Sequence, residues 1–88
     1  MVIRTAPGVT QELLPSGHLE LVCTFTGRHM RCDPSQAAMW IALMQHAGRL
    51  DRAAEMLAGI WDADPVDTRT EMVIWAGGLC DAGLLRAE

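Results

Sequence analysis

"TGRHMRCDPSQ", residues 26–36, joins an extended stretch to an apolar helix, and the way it divides decides the fold. Thr26-Gly27 is turn chemistry, because glycine takes the positive φ that a tight hairpin requires. Arg28 to Cys32 then reads as a short strand. Asp33-Pro34 reads as a helix start: the aspartate can accept an orphan amide hydrogen bond at the N-cap, and proline suits the first helical position. His29 and Cys32 raise a competing reading, half of a metal site. On a strand, however, residues three apart point to opposite faces, and no C-x-x-C or H-x-x-x-H pair exists to complete the ligand set.

Upstream, "VTQELLPSGHLELVCTF" (9–25) reads as two strands around Pro15-Ser16-Gly17. Leu19, Leu21, Cys23 and Phe25 alternate with His18, Glu20, Val22 and Thr24, the period of a sheet with one buried face. Arg28–Cys32 is then the last strand of a three-stranded meander, with one edge free.

Downstream, the first helix runs to about His46, and Gly48 suits its end. Ala37 to Met44 is uninterrupted apolar sequence. Trp40, Leu43, Met44 and Ala47 form one face, while Met39 and Ile41 point to opposite flanks, so this helix is expected to be covered on several sides. Asp51 is expected to cap a second helix ending near Trp61, with Ala53, Met56, Leu57, Ile60 and Trp61 on its apolar side. Asp64-Pro65 repeats the Asp-Pro start for a third helix reaching about Asp81, with Gly83 beyond its end. At ~100° per residue, Thr68, Met72, Trp75 and Leu79 form its expected core stripe. Arg69, Val73, Ala76 and Cys80 form the next row, dressed for the sheet or for a partner, and Glu71 and Gly78 lie on the other flank. Gly77-Gly78 costs helix stability, and reads either as tolerated looseness near a helix end or as room for another backbone to approach. The order predicts an α+β fold: a winged helix-turn-helix, with an N-terminal three-stranded antiparallel sheet followed by three helices, one domain over residues 1–88.

Composition narrows the function. The longest apolar run is far short of the roughly 20 residues of a membrane span, and no signal-peptide pattern is visible, so a cytoplasmic protein without membrane partners is expected. Net charge is −4, with seven arginines and no lysine. A DNA-reading third helix should be rich in Arg, Lys, Asn and Gln; this one has Arg69 against Asp67, Glu71 and Asp81. A small winged-helix DNA-binding regulator is therefore the alternative reading and nucleic acid is not the expected partner. A structural subunit burying its apolar flank in a permanent partner is a third reading. Three widely spaced cysteines, Cys23, Cys32 and Cys80, read as reduced apolar packers. No nucleophile elbow, phosphate loop or framed carboxylate pair appears, so no enzyme, no cofactor and no metal are expected. What remains is binding. A free sheet edge pairs readily with an extended peptide, and an apolar helix flank beside it would select side chains.

"TGRHMRCDPSQAAMW", "LDRAAEMLAGIWDADP" and "EMVIWAGGLCDAGLL" resemble, in order and spacing, the PqqD-like family over about residues 9–86. The family's acidic residue in the third helix matches Glu71, and its closing Leu-x-x-x-Gly-Leu matches Leu79, Gly83 and Leu84. Cys32 stands where the family usually has Leu. The resemblance implies a RiPP precursor peptide recognition element, or peptide chaperone, closest in kind to the standalone leader-binding proteins of lasso-peptide biosynthesis. Such a protein binds the leader of a precursor peptide as an added strand and presents it to a modifying enzyme, a leader peptidase or a radical-SAM enzyme. It places the leader on Arg28, His29, Met30, Arg31 and Cys32, and on Arg69, Val73, Ala76 and Cys80. Arg28 and Arg31 would attract an acidic leader.

Overall fold

The computed structural model describes residues 2–88. The elements run β1 (Ile3–Thr5), β2 (Val9–Leu13), β3 (Leu19–Cys23), β4 (His29–Cys32), α1 (Pro34–Gln45), α2 (Leu50–Trp61), α3 (Pro65–Asp81) and β5 (Leu85–Ala87). This is the expected α+β winged helix-turn-helix, with one addition. β2, β3 and β4 form the antiparallel meander, and β1 pairs with β5 in a separate two-stranded ribbon. No helix among the described residues is long and apolar enough to cross a membrane.

The meander follows from its alternation. Leu19, Leu21 and Cys23 are buried on one face of β3, and Glu20 and Val22 face outward. Phe25 departs from the expected series: it sits in the hairpin loop, 76% exposed, with its ring over Gly8. Gly27, at φ +75°, makes the bulge that turns β3 into β4. Its amide donates to the Cys23 carbonyl, and the Cys23 amide donates to the Arg28 carbonyl, both at 2.8 Å.

α1 packs on β3 and β4, and α2 on α1 and α3. Ala37, Met39, Trp40, Ala42 and Leu43 bury one broad side of α1, while Ile41 and Met44 lie partly open, so the helix is less enclosed than its composition suggests. The Trp40 indole N–H donates to the Gln11 side-chain oxygen and ties α1 to β2. Asp33 caps α1 as expected, in a reciprocal capping box with Gln36. The Gln36 amide, followed by the Ser35 hydroxyl, holds the Asp33 carboxyl below the usual carboxylate range.

The caps of α2 and α3 differ. α2 begins at Leu50 after Arg49, with no side-chain cap; Asp51, the expected cap, lies inside the first turn, where its charge favours the helix dipole. α3 has a true cap, because the Asp64 carboxylate accepts the Val66 and Asp67 amides at 2.8 and 3.2 Å. Asp64→Ala should therefore lower the unfolding free energy by about 1 kcal/mol, read from the urea midpoint. Asp51→Ala, which breaks no such bond, should cost less.

The β1–β5 ribbon closes the end of the domain. Ile3, Leu84 and Leu85 are buried, the Ile3 amide donates to the Gly48 carbonyl at 2.8 Å, and Arg4 pairs with Glu88 at 2.8 Å. The ribbon thus fastens both ends of the described chain to the turn after α1.

Candidate peptide-binding edge and groove

Among the described residues the meander has two free edges, because β2 and β4 each pair only with β3. On β4 the backbone phase follows from the bulge. Antiparallel pairs alternate between bonded and non-bonded. Cys23 bonds to Arg28, so the register Val22↔His29, Leu21↔Met30, Glu20↔Arg31 and Leu19↔Cys32 makes Met30 and Cys32 the residues bonded to β3. The N–H and C=O groups of His29 and Arg31 therefore point away from the sheet, along the free edge. Side chains alternate across the other axis. His29 and Arg31 are exposed on the outer face, Met30 is half-buried, and Cys32 is fully buried on the inner face. The expected opposition of His29 and Cys32 holds.

Beside the C-terminal end of β4 lies an open groove between α1 and α3. Met39, Ile74 and Trp75 supply its apolar surface, Gln36 and Asp33 its α1 rim, and Glu71 its α3 rim. Ile74 is 72% exposed. The Trp75 indole N–H is buried without a well-placed acceptor; the group it approaches is the Cys32 sulfur, which brings α3 against β4. Burial pushes the Cys32 thiol pKa up, and the Trp75 N–H offsets part of that rise.

The row of α3 that walls this groove is Glu71, Ile74 and Trp75, not the row expected from the sequence. Ala76, expected on the binding flank, is core at 3% exposure, and the buried stripe is Thr68, Met72, Ala76 and Leu79. Arg69 is exposed in a different depression with Val66, Pro65, Asp51 and Glu55, at the start of α2 and α3. Val73 is partly open, and Cys80 is half-buried against the core, its thiol pKa pushed up first by burial and then by the Asp81 charge. Helical rotation puts Arg69, Val73 and Cys80 across the core stripe from Glu71 and Ile74. So the structure brings Cys32 at the end of β4 to Trp75, which shares the groove with Ile74 and Glu71, and sets Arg69, Val73 and Cys80 on the other side of the core stripe. Gly78 continues the groove row, and a Cβ there would meet nothing within 4 Å, so no other part of the chain uses the opening it leaves.

β2 presents the other edge. The Leu14 amide bonds to the His18 carbonyl at 2.8 Å, so by the same alternation Gln11 and Leu13 face outward there. The Gln11 side chain is already engaged by Trp40.

This architecture is shared with TbiB1. The solved structure of TbiB1 in complex with the TbiA(beta) leader peptide matches 97% of this chain and 96% of that chain, with a TM-score of 0.84 at 14% sequence identity. No protein-family model matches the chain, and no curated protein matches its sequence. The likeness to TbiB1 is thus one of fold, on largely different side chains.

Proposed function

We propose that this chain is a non-catalytic RiPP precursor recognition element of the PqqD-like kind, which captures a leader peptide as an extra strand on β4 and presents it to a modifying enzyme or leader peptidase. The observation that carries this reading is the unpaired edge of His29 and Arg31 on a strand that ends at the apolar groove of Met39, Ile74 and Trp75. Backbone bonds along the edge would supply affinity for any extended segment, and the groove would choose among side chains. That TbiB1, of the same fold, was solved with a leader peptide supports the reading. Among such proteins, the standalone leader-binding proteins of lasso-peptide biosynthesis, partnered by a leader peptidase, are the kind proposed here. A DNA-reading role fits poorly, because the exposed surface of α3 carries Asp67, Glu71 and Asp81 against Arg69.

The test uses the synthetic leader of a precursor gene neighbouring this one, fluorescently labelled. Ile74→Asp should leave the fold intact, because Ile74 is already in water, and weaken leader binding roughly 30-fold or more by placing a charge where an apolar side chain is to be buried. Val73→Asp, on the other side of α3, should change affinity less than about threefold. The opposite ranking would move the site to the Arg69–Val73–Cys80 row.

A further inference from the structure

An added strand on β4 presents its side chains alternately to two different surfaces, whichever direction it runs. Residues opposite His29 and Arg31 share the outer face with those side chains. Residues opposite Met30 and its neighbours two positions away turn inward, toward Met39, Ile74 and Trp75. The two surfaces differ in charge. The outer face of the edge carries His29 and Arg31, both exposed. Arg31 has one anionic neighbour, Glu20 on the strand behind it, at a loose 3.9 Å between exposed groups. The inward surface is apolar with a carboxylate at its rim, Glu71, which has no ion-pair partner among the described residues.

Resting on the strand-addition reading, we infer that the leader is an amphipathic strand with acidic side chains at the positions that face outward beside Arg31 and apolar side chains at the alternate positions that enter the groove. The same charges fix its register. A slip of one residue turns every side chain to the other face. Acidic groups would then meet Glu71 and the apolar wall, and apolar groups would stand in water beside Arg31 and His29. Edge and groove thus read a two-residue repeat rather than overall charge. This separates the inference from generic electrostatics: the chain carries −4, so a nonspecific field would favour a basic peptide.

The probes are two end-capped synthetic ten-residue peptides, one alternating aliphatic residues with glutamate and the other identical but for lysine at the glutamate positions. Binding is read by anisotropy and by amide shifts of the labelled protein. The glutamate peptide should bind about tenfold more tightly at low salt, from cross-strand ion pairs gained in one case and like charges opposed in the other, and the difference should shrink at high salt. Arg31→Glu should reverse the preference while keeping the β4 shifts. Equal or tighter binding of the lysine peptide, with shifts at β4, would overturn the inference and leave strand addition standing. Failure of both peptides to shift the β4 amides would overturn strand addition itself, and the inference with it.

Discussion

Gly48→Ala should destabilise the domain by at least about 3 kcal/mol, more than any surface change described above. Gly48 sits at φ +81°, directly after Ala47, which is itself left-handed at φ 55°. A Cβ on Gly48 would lie 2.1 Å from the Ile3 carbonyl oxygen, a backbone atom that cannot swing aside. An L-residue there meets about 1–2 kcal/mol of conformational strain. The clash also pushes β1 away, breaking the Ile3 amide bond to the Gly48 carbonyl and loosening Ile3, Leu84 and Leu85 from the core. A domain of this size has only about 4–13 kcal/mol of stability in all. Urea unfolding should show a much lower midpoint for Gly48→Ala. Gly59→Ala, in α2 where a Cβ meets nothing within 4 Å, should instead raise it by helix propensity. Equal effects at the two positions would mean that β1 is not seated on that turn.

Arg31→Pro should leave the fold standing and remove most leader affinity. The Arg31 N–H points off the sheet, so proline there deletes no bond within the β2–β3–β4 ladder, and proline is tolerated on edge strands in that orientation. An incoming strand, however, loses its donor at the centre of the edge, and its own carbonyl is left without a partner. The loss should be about 2–3 kcal/mol, roughly 30- to 150-fold. Arg31→Ala keeps the amide and removes the guanidinium, so it should cost no more than about fivefold. Met30→Pro deletes the amide that bonds to β3 and should damage the sheet itself. If Arg31→Ala proves as severe as Arg31→Pro, the side chain rather than the backbone carries binding.

Much of this architecture is legible along the chain because local chemistry and tertiary packing agree there. The Leu19-Leu21-Cys23 alternation, the turn glycines and the two Asp-Pro starts place β2, β4, α1 and α3 within a residue or so of the observed bounds, and β3 with an end two residues too far, at Phe25. The β1–β5 ribbon is not legible. Its strands are three residues each, with only Ile3 and Leu85 buried, and pairing them depends on contacts across nearly the whole chain. The face of α3 is misjudged for a different reason. Hydrophobicity ranks Trp75 above Ala76 as a core residue, but α2 presents buried Ala53, Ala54 and Ala58, and the two helices pack against each other. That seam admits the Ala76 methyl and excludes an indole, so Trp75 goes to the rim beside Cys32 and carries the groove to the Glu71–Ile74 side. The backbone half of the candidate site, His29 to Cys32, could be read from strand order; the helix half required the rotation of α3, which volume rather than polarity sets.

Amide hydrogen exchange measured with and without the leader peptide tests the central claim most directly. With strand addition at β4, the amides of His29 and Arg31, which have no ladder partner in the free protein, should become strongly protected on binding, while those of Gln11 and Leu13 on the β2 edge stay as they were. Protection appearing at Gln11 and Leu13, or binding that leaves His29 and Arg31 exchanging freely, would contradict it.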